Sequence, residues 1–146
     1  MKALMEKDDK KMSRSGKKWI LVMDEDASMR TETRQMLEKS GYSVYSAGSI
    51  EDALECYKVA RVCGYPFAAV ILDTGVINAA GGGEAVKRLR DIDPDASVIV
   101  AGADGEHPAS DNFKKGRFQG ALTKPFTSEE LEQALHRALY NSMEGA

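Results

Sequence analysis

Seven consecutive residues constrain this chain more than any others: Phe67-Ala68-Ala69-Val70-Ile71-Leu72-Asp73. An apolar run rich in β-branched types ends on a carboxylate. A run this short and uniform fits a strand covered on both faces, as in a parallel sheet, although periodicity alone does not separate it from a buried helix. Thr74-Gly75 ends the run. A buried strand that stops at an acid sets the carboxylate at the sheet's carboxyl edge, where open α/β folds place their chemistry. Asp73 is therefore the expected working residue.

The same strand-then-acid pattern occurs earlier, where Trp19-Ile20-Leu21-Val22-Met23 runs into Asp24-Glu25-Asp26. From Ser28 to Lys39 the apolar residues thin to Met29, Met36 and Leu37 among charges, the pattern of a helix with one inward face, and Ser40-Gly41 stops it. Ser43–Ala47 reads as a second strand. Ser49 is a candidate N-cap, with Glu51 and Asp52 in the first turn of a helix that continues to Cys63. After the central strand come a loop from Thr74 to Gly82, a helix from about Gly83 to Asp91, and a turn at Asp93-Pro94-Asp95. Ser97–Ala101 is the fourth strand. Residues 102–117 are weakly patterned, with a short helix expected around Ser110–Lys115. Gly120–Thr123 is the fifth strand, running into Lys124-Pro125-Phe126. Thr127 and Glu130 have capping-box spacing, and the helix they open carries Leu131, Ala134, Leu135, Ala138 and Leu139 inward. Five strands alternating with five helices imply a parallel sheet with right-handed crossovers.

At 146 residues the chain is long enough for one domain with a real core. Its net charge of −3 is unevenly placed: residues 1–18 sum to +4 and the remainder to −7. An acidic body argues against nucleic-acid binding by the folded part, and the basic segment reads as a polar tail or linker. Cys56 and Cys63 lie seven apart on one expected helix, so their Cα atoms are on the order of 10 Å apart, beyond disulfide reach. They are expected to be buried thiols in a reducing compartment. Neither a membrane-spanning apolar stretch nor a signal-peptide core is present in the sequence, and a cytoplasmic location is expected.

The strand ends define the chemistry. If the first, third and fifth strands are neighbours, Asp24, Glu25, Asp73 and Lys124 meet at one edge. Clustered carboxylates raise one another's pKa unless a cation intervenes, and oxygen ligands with room for water suit Mg²⁺. A carboxylate beside Mg²⁺ and a lysine can attack phosphorus to give an aspartyl phosphate, with metal and amine neutralising the transferred group. The plainer alternative is that Asp24, Glu25 and Asp26 only cap the first helix. His107 and His136 are expected at the surface, since neither has a Cys or His partner at zinc spacing, and no nucleophile-elbow motif occurs.

From about Lys18 to Tyr140 the chain resembles the receiver domain of two-component response regulators, as found attached to hybrid sensor histidine kinases. The matching pieces are residues 20–26 (Ile20-Leu21-Val22-Met23-Asp24-Glu25-Asp26), residues 70–73 (Val70-Ile71-Leu72-Asp73) and residues 118–126, ending Thr123-Lys124-Pro125-Phe126. The resemblance implies a flavodoxin-like (βα)5 three-layer sandwich with its parallel sheet in order 2-1-3-4-5. The domain boundaries it implies are 18–141, with a tail at 1–17 and another at 142–146. It implies that Asp73 accepts a phosphoryl group from a histidine kinase. Glu25, Asp73 and the Gly75 carbonyl would hold Mg²⁺, Asp24 would assist through water, and Lys124 would pair with the phosphoryl group. Lys124-Pro125 resembles the family's cis peptide. The chain would then be a phosphoacceptor rather than an enzyme with a separate substrate, promoting its own phosphorylation and dephosphorylation. The Gly-rich loop from Ile77 to Gly83 resembles a variant found in hybrid kinases, and its glycines fit loop flexibility better than a phosphate cradle, because the strand–loop–Lys order of a P-loop is missing.

Three positions depart from the family pattern. The hydroxyl residue that ends the fourth strand in receivers, and bonds the phosphoryl oxygen there, is Gly102 in this chain. The switch aromatic of the fifth strand is Ala121. The loop proline is Ile77. These changes leave the acids intact and remove the side chains that relay their state. Three readings follow: a phosphoacceptor module, a docking module of receiver fold that works without phosphorylation, and a small-ligand-binding flavodoxin-like domain. Expected partners are a sensor histidine kinase or phosphotransfer protein and a second copy through the face of the fourth helix, fifth strand and last helix, with no nucleic acid or membrane. No effector domain is legible, so a stand-alone receiver or a piece of a longer kinase is expected.

Overall fold

The structure is a computed structural model that describes residues 18–75, 82–103 and 118–141. Its five strands form one parallel sheet in the order β2-β1-β3-β4-β5, as expected. The chain divides into two compact units, residues 1–68 and 69–146.

In the first unit, β1 (Trp19–Met23) pairs with β2 (Ser43–Ala47), with Trp19 opposite Ser43 and Met23 opposite Ala47. Ile20, Leu21, Val22 and Met23 are all buried, the signature of a strand covered on both faces. Between the strands runs α1 (Ala27–Lys39), capped by Asp26, whose carboxylate accepts from the Ser28 and Met29 amides. It ends where Gly41 takes a φ of +95°, a conformation that costs a side chain but not glycine. Helix α2 (Ile50–Val62) is capped by the Ser49 hydroxyl and buries Leu54, Cys56, Tyr57 and Ala60. The expected strand began at Phe67, but the structure holds Phe67 outside the strand, its ring 6.0 Å from that of Tyr57. Aromatic packing on α2 takes that residue out of the ladder. Neither cysteine is in a disulfide, as expected; Cys56 is buried as expected, whereas Cys63, at the C-cap of α2, is only half-buried.

In the second unit, β3 (Ala69–Asp73) pairs with β4 (Val98–Ala103), and β4 with β5 (Gly120–Lys124). The helices are α3 (Gly82–Ile92) and α4 (Ser128–His136). Arg90 of α3 donates to the Ala96 carbonyl and to Gln119 Oε1, which itself accepts from the Val98 amide at 2.8 Å. One guanidinium and one amide therefore align the entrances of β4 and β5. The core is Val98, Ile99, Leu122, Leu131 and Leu135, all buried. β4 reaches Ala103 rather than the expected Ala101, because β5 keeps pairing with it as far as Lys124. The last helix changes to a π turn over Arg137–Asn141 instead of continuing as α through Leu139. His136 is exposed, as expected, and stacks at 4.8 Å on Tyr140. Four helices stand among the described residues rather than five, and the expected Ser110–Lys115 helix, His107, Ile77 and the loop as far as Gly81 lie outside them.

Two measurements check this account. The capping box is complete, with Glu130 N–H donating to Thr127 Oγ1 at 3.1 Å and Thr127 N–H to Glu130 Oε1 at 3.0 Å. Thr127→Ala is expected to lower the urea-unfolding free energy by about 1 kcal/mol. Burial pushes the Cys56 thiol up, with Asp52 and Glu55 adding to the rise and the Tyr45 hydrogen bond opposing it. A thiol whose folded pKa is raised favours folding below its unfolded value and loses that contribution as pH climbs above it. Stability measured by urea unfolding is therefore expected to fall above about pH 8.5, with a shallower fall in Cys56→Ala.

Candidate functional site

Strand register explains how two residues 51 apart in sequence come into contact. Asp73 lies opposite Ala101, and Ala101 lies opposite Leu122, so the three form one row across β3, β4 and β5. Alternation returns Lys124, two residues past Leu122, to the same face as Asp73. The small side chain at Ala101 leaves the lysine a path over the middle strand. Lys124 Nζ donates to Asp73 Oδ1 at 3.2 Å, and the side chains retain only 19% and 16% of their exposure. The Gly75 N–H donates to the same carboxylate oxygen, also at 3.2 Å. The sequence expectation that Asp73 and Lys124 meet is met by the geometry. The Lys124-Pro125 peptide is cis, as expected.

In the first unit, the acids that follow β1 divide their duties. Asp24 is 6% exposed, and its Oδ1 accepts the Asp26 N–H at 2.9 Å. Its carbonyl accepts from Arg30 Nη1 at 2.6 Å. Asp26 caps α1, so the capping interpretation holds for that residue. Glu25 is exposed.

In the second unit, the Asp73 carboxylate and the Gly75 carbonyl offer only oxygen, the donor type that suits a hard divalent cation. Among the described residues no group of three or more His, Cys, Asp or Glu is gathered to hold a metal ion. Few oxygen ligands suit Mg²⁺, which keeps several waters, better than an ion needing a closed cage.

Thr74 reads in the sequence only as the residue that ends the strand, yet it is 2% exposed. A Cβ built on Gly102 would come 1.7 Å from Thr74 Oγ1, 2.7 Å from its Cβ and 2.8 Å from its Cγ2. The Thr74 side chain occupies the space that a side chain at position 102 would need. The signal was present as a pair, a threonine directly after the reactive acid and a glycine where β4 ends. Ala121 is exposed on β5 and brings no ring to that strand.

Comparisons with known proteins follow this geometry. The family model described as the response regulator receiver domain matches residues 20–136. The chain is 28% identical over 121 residues to the chemotaxis protein CheY of Thermotoga maritima, covering 82% of this chain and 96% of that protein. It is 30% identical over 123 residues to the sporulation initiation phosphotransferase F of Bacillus subtilis, covering 82% and 92%. A response regulator receiver domain protein from Clostridium thermocellum superposes with a TM-score of 0.73 at 22% identity, over 88% of this chain and 99% of that one, which speaks to the fold. No helix among the described residues is long and apolar enough to cross a membrane.

The packing of Thr74 against position 102 gives a direct test. Gly102→Ala is expected to destabilise the protein by about 1–3 kcal/mol, the range for overfilling a packed site. Adding Thr74→Gly to that variant should recover most of the loss in urea unfolding, a non-additivity expected only of side chains in contact.

Proposed function

The chain belongs to the response regulator receiver domain family, and from that premise we propose that it accepts a phosphoryl group on Asp73 in two-component signalling. The contact between Lys124 Nζ and Asp73 Oδ1 at 3.2 Å carries this reading. It supplies a carboxylate nucleophile and a cation at one point of the sheet's carboxyl edge.

The proposed donor is a phosphohistidine on a sensor kinase or phosphotransfer protein. A carboxylate oxygen of Asp73 attacks phosphorus, a new O–P bond forms, and the P–N bond breaks with its electron pair returning to the imidazole. Lys124 leaves the bare carboxylate and pairs with a phosphoryl oxygen, offsetting charge where it accumulates. The Gly75 N–H keeps the carboxylate oriented. Mg²⁺, when bound, would neutralise phosphoryl charge; its proposed ligands are Asp73, Glu25 and the Gly75 carbonyl, with Asp24 acting through water. Hydrolysis or onward transfer would reset the residue.

Ala121 favours a second reading. With no aromatic side chain on that strand position, the family's usual relay lacks its moving part, and the fold could serve as a docking module independent of phosphorylation.

Intact mass after incubation with acetyl phosphate and Mg²⁺ separates the two. One phosphoryl adduct is expected on the wild-type chain, none on Asp73→Asn and none with excess EDTA. Lys124→Gln should slow adduct formation by on the order of 100-fold, as loss of one preorganised donor to a developing anion does. A wild-type chain that stays unmodified would leave the docking module as the function.

A further inference from the structure

We propose that Thr74 supplies the hydroxyl that holds the phosphoryl group, taking the place of the side chain that Gly102 lacks; this rests on Asp73 being the phosphoacceptor. Thr74 Oγ1 stands 1.7 Å from where the Cβ of residue 102 would be, about one covalent bond. A hydroxyl carried by residue 102 would begin from that Cβ, so Thr74 brings the same chemical group to the volume in which a side chain at 102 would start. The hydroxyl arrives from β3's exit rather than from β4's.

Chain position favours the assignment. Thr74 directly follows Asp73, so phosphorylation changes charge one residue away. Gly102 stands opposite Thr123, one residue beyond the Ala101 that pairs with Asp73, so the hydroxyl is at the carboxyl edge shared by β3, β4 and β5. Lys124 ends β5 at that same edge. A phosphoryl group on Asp73 presents three oxygens there. The lysine ammonium takes one, and the threonine O–H can donate to another in a charge-assisted hydrogen bond, stronger than a neutral one. Thr74 is 2% exposed, so water competes little for that bond. A glycine at 102 is what makes room: any larger residue there would displace the hydroxyl.

The step it assists is the transfer described above. Asp73 forms the O–P bond, the donor's bond to phosphorus breaks, and Thr74 keeps its proton throughout while stabilising the oxygen that gains charge. Thr74 is thus a contact to the reacting group and not a proton carrier.

The test uses the full chain with acetyl phosphate and Mg²⁺, following the adduct by intact mass alongside urea unfolding. Thr74→Val keeps the shape without the hydroxyl and should slow adduct formation by on the order of 10–100-fold, while Thr74→Ser should stay near wild type. The decisive variant moves the hydroxyl: Thr74→Gly alone should be slow, and Thr74→Gly with Gly102→Ser, which leaves only one Cβ in that space, should recover at least half of the lost rate on a logarithmic scale. A filler role would predict equal rates for Thr74→Val and wild type, and that result overturns the inference while leaving Asp73 as phosphoacceptor. If Thr74→Val fails to fold, the moved-hydroxyl pair decides alone, and absence of rescue overturns the inference. A wild-type chain with no adduct overturns the phosphoacceptor reading, and this inference falls with it.

Discussion

The chemistry proposed for this fold depends on an ion pair that spans three strands. Asp73 and Lys124 end β3 and β5, with β4 between them, and their contact exists only because two registers agree. Slipping either pairing by one residue would send one of the two side chains to the opposite face. The pair adds little to folding: half-shielded ion pairs contribute about 0–1 kcal/mol, with desolvation opposing attraction. On the proposed phosphoacceptor reading its value is chemical: a cation resting on a nucleophilic carboxylate would have only to exchange one oxygen for another when a phosphoryl group arrives.

Much of this was legible along the chain, for definite physical reasons. Strands covered on both faces must be almost wholly apolar, so β1 and β3 announce themselves as runs, and an acid at the end of such a run has to emerge at the sheet's edge. Capping residues are equally readable, because Ser49, Thr127 and Glu130 satisfy amides within three residues of themselves. What failed was decided by distant partners. Phe67 looks like strand by composition, but the Tyr57 ring claims it. The length of β4 depends on how far β5 follows it, which no local pattern records. Asp24, Glu25 and Asp26 look interchangeable in sequence, yet one caps a helix, one is exposed and one is buried with Arg30 on its carbonyl.

Gly102 illustrates a further limit. Taken by itself, the position reads as a loss: a hydroxyl that should face the phosphoryl group is gone, and Ala101 cannot replace it. Three-dimensional packing turns positions 74 and 102 into one variable. Their side chains compete for the same volume, since a Cβ at 102 would overlap the Thr74 side chain at every nearby heavy atom. A residue-by-residue comparison scores a deletion at one site and ignores the other, because a threonine after the central acid has an adequate explanation as a strand terminator.

That coupling bears on how far the site's output departs from the family's. Ala121 is a loss without an equivalent: it is exposed, and nothing in β5 replaces an aromatic ring. Gly102 with Thr74 is different in kind, since on the proposed assignment the group would be retained and only its point of attachment would change. A hydroxyl attached to β4 pulls on β4 when it closes on a phosphoryl oxygen. One attached next to Asp73 pulls on β3's own exit, the segment leading into the residues after Gly75. The same hydrogen bond would therefore move a different part of the chain. Capture of the phosphoryl group and relay of its presence are separable jobs in such a site, and on the proposed reading the residues of this chain would retain the first while relocating the starting point of the second.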